Sequence, residues 1–132
     1  MKIDTSQKEE YLQFVTEMTG TKNFGPCKTI AFINDHGLAV VLYNGQDEKN
    51  IGMSIAASDP RFCTRKMIQV AFGFPFLQLG MNRVTSIIRE SNERSIRLCV
   101  GMGFTHEGVL RGYYGDEDAL VFGLLKSECI WI

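Results

Sequence analysis

The sequence predicts an α+β fold, a mixed central sheet flanked by helices, and three observations carry that prediction. Three β-rich runs follow one another in the first half, separated by turn-forming residues, in the manner of an antiparallel meander. A helical stretch then precedes the next strand, the order of a parallel crossover. Two last β-rich runs flank Gly115-Asp116-Glu117 and close as an antiparallel pair. With 132 residues, 45% of them hydrophobic, the chain is long enough to bury one core without metals or disulfides. A single domain over 1–132 is therefore expected, with a sheet of about seven strands or fewer.

Each element has its own signal. Residues 8–18 set Tyr11, Leu12, Phe14, Val15 and Met18 on one stripe at three-and-four spacing, so they predict a helix, which Gly20 stops. The runs 28–33 (KTIAFI) and 37–43 (GLAVVLY) are separated by Asn34-Asp35-His36-Gly37 and predict a hairpin. Residues 44–50 are polar and read as a connection, and 51–57 (IGMSIAA) reads as a third strand. From 61 to 79, Met67, Val70, Ala71, Phe74 and Leu77 recur at helical spacing, while Gly73 and Pro75 are expected to kink the second half. Gly80 closes this helix and 83–89 (RVTSIIR) is the next strand. Ser91-Asn92-Glu93-Arg94 opens another helix, with Ile96, Leu98, Cys99 and Met102 inward and Gly101 and Gly103 at its end. Residues 104–114 and 118–125 then read as the closing strands.

Composition excludes several roles. Fourteen Lys and Arg against fifteen Asp and Glu give a formal net charge of -1, so no basic field exists to hold nucleic acid or an anionic membrane surface. The apolar stretch 70–79 contains Gly73, Pro75 and Gln78 and is too short to cross a bilayer. Met1-Lys2-Ile3-Asp4 lacks the pattern of a secretory signal, and a cytoplasmic location is expected. The cysteines form no CxxC pair, and His36 and His106 have no ligand-spaced partners, so no metal is expected. Cys27, Cys99 and Cys129 read as buried thiols, Cys63 as a small filler in a loop, and the apolar end Cys129-Ile130-Trp131-Ile132 as a cap on the core.

The run Asn92-Glu93-Arg94-Ser95-Ile96-Arg97-Leu98-Cys99-Val100-Gly101-Met102-Gly103-Phe104 carries Asn, two residues, Ser, a helix and then Gly-Phe. Glu107-Gly108-Val109-Leu110-Arg111, Tyr113-Tyr114, Asp118-Ala119 and Glu128 follow in order. Together these resemble the GNAT superfamily of acyl-CoA-dependent N-acyltransferases, most of all its ribosomal-protein N-terminal acetylating branch (RimJ, RimL, RimI), over about residues 54–131. The resemblance implies a splayed parallel pair formed by 51–57 and 83–88, whose unpaired edges accept a pantetheine arm, with Asn92 and Ser95 facing that arm. A strand running into a helix N-terminus also aims free N–H groups and a positive dipole end at a pyrophosphate.

The family's pyrophosphate loop falls on Asp59-Pro60-Arg61-Phe62-Cys63-Thr64, and neither of its glycines is present. Phe62 is expected there to crowd a phosphate and Asp59 to repel it. Arg61, Thr64, Arg65 and Lys66 offer three charges and a hydroxyl that hold phosphates by side chains instead.

Moving an acetyl group from acetyl-CoA to a primary amine by direct attack requires the amine to lose a proton and the departing thiolate to gain one. Tyr113 and Tyr114 match the tyrosine pair near the family's active site; on a strand only one of them faces the slot, and Tyr114 is favoured as the acid. Glu107, on the preceding strand, and Glu90 are candidates for the base, with a water chain as the alternative. His106 is a surface strand residue whose unperturbed pKa also suits a base. Arg111 and Asp118 are expected to pair across the last hairpin. The acceptor is an amine on a protein N-terminus or a small molecule, with loop 20–27 as a rim and no acidic cluster to select a polyamine. The glycine-free loop sustains two other expectations. One is a catalytically silent GNAT-fold structural or assembly protein, such as a phage virion component, in a homo-oligomer or larger particle; the other is an acyl-CoA sensor without turnover.

Overall fold

A computed structural model describes residues 1–132. In chain order the elements are β1 (Lys2–Asp4), α1 (Glu9–Thr19), β2 (Cys27–Asn34), β3 (Gly37–Asp47), β4 (Asn50–Ala57), α2 (Arg65–Gly73), β5 (Arg83–Arg89), α3 (Glu93–Met102), β6 (Thr105–Leu110) and β7 (Ala119–Leu125). The seven strands form one mixed sheet in the order β1-β2-β3-β4-β5-β7-β6, in which only β4 and β5 run parallel. The α+β class read from the sequence is the class observed.

Strand alternation divides the apolar residues between two cores. Ile30 and Phe32 of β2, Val41 and Tyr43 of β3, and Ile51 and Met53 of β4 face α2 and α3 and form the second core, the one against α1 being the first. The intervening Ala31, Val40, Leu42 and Ala56 face α1, which presents Tyr11 and Val15. With both faces covered, these strands have no polar side to show, which is why their sequences are continuously apolar. Met18, at the far end of the expected stripe, remains 41% exposed.

Five local readings are corrected. The polar residues 44–47 continue β3, and the connection shrinks to Glu48-Lys49, with Glu48 at a φ of +31°. The long helix over 61–79 divides into a 3-10 turn at Pro60–Phe62, α2, and a π-helical turn at Phe74–Gln78. Pro75 has no N–H for the Ala71 carbonyl four residues back, and the buried Tyr43 hydroxyl donates to that carbonyl instead, at 2.5 Å. β1 was not read from the sequence; its three residues are too few for a period, and its Asp4 accepts a hydrogen bond from the Tyr11 hydroxyl at 2.5 Å. β6 ends at Leu110, and Gly112 and Gly115, at φ +66° and +86°, turn the chain so that Tyr113 and Tyr114 leave the strand. Arg111 and Asp118 do not pair, because the Asp118 carboxylate accepts the Gly112 N–H at 2.7 Å.

Cys99 is buried, whereas Cys27 and Cys129 are half-buried. Trp131 caps the second core by donating its indole N–H to the Met102 carbonyl at 2.9 Å. No helix is long and apolar enough to cross a membrane.

Candidate active site

The parallel pair is short. β4 and β5 are in register only at Asn50↔Arg83, Ile51↔Val84 and Gly52↔Thr85. Beyond that β4 stays with β3 as far as Ala57↔Ala39, while β5 stays with β7 as far as Arg89↔Ala119. The facing edges therefore diverge and open a slot through the sheet.

Alternation shows which backbone groups face the slot. Ser58 N–H donates to the Leu38 carbonyl, which turns the even-numbered residues of β4 toward β3 and directs the N–H and C=O of Met53, Ile55 and Ala57 into the slot. On the other side Glu90 N–H donates to the Asp118 carbonyl, so Ile87 and Arg89 present their groups to the slot from β5. Side chains hold the opening at both ends. The Ser86 hydroxyl donates to the Met53 carbonyl at 2.9 Å, and Arg94 donates to the Ala57 carbonyl at 3.1 Å. Between them Ile55 faces open space.

A narrow cavity of about 30 Å³ occupies the slot, bounded by Met53, Ile55, Ile87, Arg89, Ser95 and Tyr114. Toward the α2 and α3 N-termini it continues into a second cavity that shares Ile55, Asn92 and Ser95 and adds Cys63 and Arg94. On the α1 side it continues into a third, which shares Thr21, Ser54 and Tyr114 and adds Tyr113 and Phe24. One groove thus threads the sheet.

Asn92 caps α3, its Oδ1 accepting the Ser95 N–H at 3.3 Å, and both residues line the slot. Tyr114 lines the slot, whereas Tyr113 reaches only the outer cleft; their rings meet edge to face at 5.0 Å. Because both sit in a turn, alternation does not choose between them. Burial pushes the Tyr114 phenol above its ordinary value, opposed by a hydrogen bond with Thr21 and by the Arg89 charge.

The base candidates lie elsewhere. Glu107 sits at an irregularity of β6 between His106 and Gly108, and Arg83 holds its carboxylate, which lowers its pKa. His106 is exposed, with its ring on Phe122 and Nε2 3.1 Å from the Gly108 carbonyl, and Glu90 is exposed. None of the three lines the slot, and no carboxylate does.

The loop before α2 departs from the expected crowding. Phe62 is 1% exposed and packs in the second core, because burying a phenyl ring stabilises the fold by about 2 kcal/mol. Asp59 does not repel a ligand freely; it grips Arg61 at 2.6 Å and accepts that residue's N–H at 2.9 Å. That pair also removes Arg61 from the free cations. Thr64 caps α2 by accepting the Met67 N–H at 3.3 Å. Arg65 lies over the Trp131 ring at 5.6 Å, Lys66 is exposed, and neither forms an ion pair. Cys63 lines the cavity at the mouth, its thiol pushed up by burial against the Arg94 charge.

Sequence reasoning missed Arg94 and Arg89. Arg94 lies inside the quoted run, two residues past its Asn, so its position was available as a signal. Arg89 ends β5; its guanidinium lies 4.1 Å over the Tyr114 ring, contacts Asp116 and Glu117 at 3.2 Å each, and donates to the Gly20 carbonyl at 3.1 Å. Its Nε is buried without a partner and packs on Gly20, where a Cβ would stand 3.0 Å from it. It joins the end of α1 to the tyrosine turn.

A splayed parallel pair in a mixed sheet, with helix N-termini at the mouth of the splay, defines the GNAT fold, and the chain has that fold. A Bacillus subtilis acetyltransferase solved with CoA is similar at a TM-score of 0.76 and 11% identity, covering 94% of this chain and 97% of that one. A spermidine N-acetyltransferase chimera built from Vibrio cholerae SpeG and hSSAT is similar at 0.71 and 13% (96% and 98% covered), and a ribosomal-protein-S5-alanine acetyltransferase from Vibrio fischeri at 0.70 and 11% (98% and 94%). By sequence, the uncharacterized N-acetyltransferase p20 of Bacillus licheniformis is 24% identical over 134 residues, 95% of this chain and 75% of that protein. The uncharacterized N-acetyltransferase YoaA of Bacillus subtilis is 33% identical over 67 residues, 48% of this chain and 38% of that protein. No protein-family model matches.

Proposed function

We propose that the chain is an N-acetyltransferase that takes its acetyl group from acetyl-CoA and transfers it to a primary amine by direct attack. The observation that carries this reading is the slot, where Ile55 on one edge and Ile87 on the other leave main-chain donors and acceptors facing a cavity that threads the sheet. The mouth fits a phosphate-bearing donor despite the absent glycines. Phe62 is turned inward, Asp59 is occupied by Arg61, and the first-turn amides of α2 have no carbonyl of their own helix to bond. Acetyl-CoA supplies the reactive thioester carbonyl. Ile55 holds an amide-bearing arm by strand-like hydrogen bonds, Asn92 and Ser95 bound the arm's far side, and Arg65, Lys66 and Arg94 provide the positive charge for phosphates.

The amine nitrogen forms the new C–N bond as the C–S bond breaks. Tyr114 supplies the proton that the leaving sulfur takes up, a role suited to a phenol held protonated by burial. The amine loses its proton to water, reached past the Thr21 and Ser54 hydroxyls, since Glu107 is committed to Arg83 outside the slot. The resemblance to the ribosomal-protein branch does not fix the acceptor, because the spermidine enzyme and the S5 enzyme are similar to this chain to nearly the same degree. The silent-scaffold reading drew on the glycine-free loop, and there Phe62 is turned into the core and does not crowd a phosphate.

Calorimetric titration with acetyl-CoA tests the proposal, with CoA lacking the 3'-phosphate as the comparison. The expected result is micromolar binding, about -8 kcal/mol, weakened without the 3'-phosphate. No heat at millimolar ligand overturns it.

A further inference from the structure

We infer that the acceptor is a primary amine carried on an uncharged, hydrogen-bonding body, such as an amino sugar or a peptide N-terminus of small polar residues, and not a polyamine. The inference rests on the donor reading above and adds the acceptor's chemistry. It comes from the cleft of about 220 Å³ on the α1 side of the slot.

No carboxylate lines this cleft or the slot it opens into. A polyamine would bring further ammonium groups into the cleft along with the reacting one. Each would lose hydration on entry and find no opposite charge, a cost that only a facing carboxylate offsets. The nearest acidic rim residue, Asp116, is turned to Arg89 at 3.2 Å, and at the same rim Lys22 forms no ion pair. A polycation approaching there meets a like charge.

The cleft instead offers oriented neutral groups. The Asn50 Oδ1 accepts from the Thr85 hydroxyl at 2.6 Å, which leaves the Asn50 amide donors for a ligand. The Asn23 Oδ1 accepts the Gly25 N–H at 2.9 Å, which fixes that side chain in the same way. Asn44 donates to the Phe24 carbonyl at 3.0 Å and so anchors one aromatic residue of the cleft, and Tyr113, 54% exposed, lines it as well. Pre-set amides bind hydroxyl and amide groups at small entropic cost, and aromatic faces take the C–H face of a sugar or a flat peptide unit. At Asn50 and Gly52 β4 is paired on both sides, so along that part of the cleft recognition falls to these side chains.

The test measures kcat/KM at saturating acetyl-CoA for glucosamine, a serine-led amidated tetrapeptide and spermidine. A neutral acceptor is expected to exceed spermidine by about tenfold or more, and which of the two leads identifies the source. Lys22→Glu and, separately, Asn23→Asp are expected to raise the ratio of spermidine to neutral acceptor by about fivefold, the effect of one exposed charge pair. The Asn23→Asp change keeps the acceptor for Gly25 N–H. Spermidine matching or exceeding both neutral acceptors overturns the inference, as does absence of turnover with both while acetyl-CoA binds. If acetyl-CoA does not bind, the donor reading falls. The acceptor inference is then decided by the Asn23 and Asn50 side-chain amide NMR shifts, which must move with glucosamine or the peptide and not with spermidine.

Discussion

Removing one hydroxyl, in Tyr43→Phe, reads out how the chain tolerates Pro75 next to its second core. Tyr43 is 1% exposed, and its hydroxyl reaches the Ala71 carbonyl at 2.5 Å. In an uninterrupted helix that carbonyl takes the N–H four residues on, which Pro75 lacks. Without the hydroxyl a buried acceptor stands unpaired, at a cost of about 2 kcal/mol. For 132 residues the unfolding entropy near the melting temperature is about 0.28 kcal/mol/K, so Tm should fall by about 7 °C. Differential scanning calorimetry measures this directly. The decisive comparison is the same substitution in a Pro75→Ala background, where an N–H at position 75 becomes available and the penalty should fall to less than half. A Tm change under about 1 °C in the native background, or an equal penalty in both, refutes the account.

Four further outcomes follow from the site and the first core. Tyr114→Phe keeps the ring against Arg89 and Tyr113, so kcat should drop about a hundredfold while the calorimetric affinity for acetyl-CoA stays within about twofold; equal losses in both would mean the hydroxyl serves binding instead. Arg89→Lys keeps the charge but cannot span the Gly20 carbonyl and two carboxylates, so the Tyr114 amide, bonded to the Glu117 carbonyl at 3.2 Å, should exchange with deuterium about tenfold faster. Hydrogen bonds from Ser6 and Tyr11 hold Asp4 well below the ordinary 3.8, so its stabilisation is present above that pH and is lost as pH falls through the lower folded value; Asp4 in turn pushes Tyr11 from 10.0 up to about 12, so that contribution is full below pH 10 and is lost as pH rises through about 12. Tyr11→Phe should remove the alkaline loss and shrink the acid one in Tm measured against pH. Lys66→Glu should raise the Tm of the free protein by about 2 °C, by relieving a cation at a helix N-terminus, while weakening acetyl-CoA binding about tenfold; a loss in both would show that Lys66 is structural.

How much of this was legible in the sequence depends on the range of the interaction that decides each feature. The strands and helices that carry the slot were readable, since Ile30, Phe32, Val41 and Tyr43 alternate with Ala31, Val40 and Leu42 within a few residues. The start of α3 at Asn92 was readable because a helix cap is local, whereas Asn92 and Ser95 were singled out by the resemblance. The extension of β3 through 44–47 was not, because what permits it is pairing with β4, as at Asp47↔Asn50, rather than any apolar period. Nor was the split of the helix at Pro75 into a π turn, where the Ala71 carbonyl that Pro75 cannot serve is met by Tyr43, 28 positions from Ala71. The turn at Tyr113 and Tyr114 had a local signal in Gly112 and Gly115, both at positive φ. That signal was outweighed by the apparent continuity of the strand. Glu107 looked available because a sequence does not reveal that Arg83, 24 residues away, already holds it.

The same ion-pair pattern bears on the proposal that a loop without glycines serves a phosphate. Arg61, Arg83, Arg89 and Arg97 each have a carboxylate partner, and Arg65, Lys66 and Arg94 have none. Those three are the first two residues of α2 and the second of α3, the end of a helix where a cation is least favourable. Between the two N-termini lies the cavity that contains Cys63 and Arg94. Of the three only Arg94 lines this opening; Lys66, exposed, and Arg65, over the Trp131 ring, stand at the start of α2, and an anion held near these two N-termini relieves the unfavourable placement of the cations. Glycines in such a loop let main-chain amides approach a phosphate closely. With Phe62 turned into the core and Asp59 closed on Arg61, the phosphates fall in the proposed reading to the long side chains of Arg65, Lys66 and Arg94, so affinity for the donor should depend on salt more steeply than where backbone amides dominate.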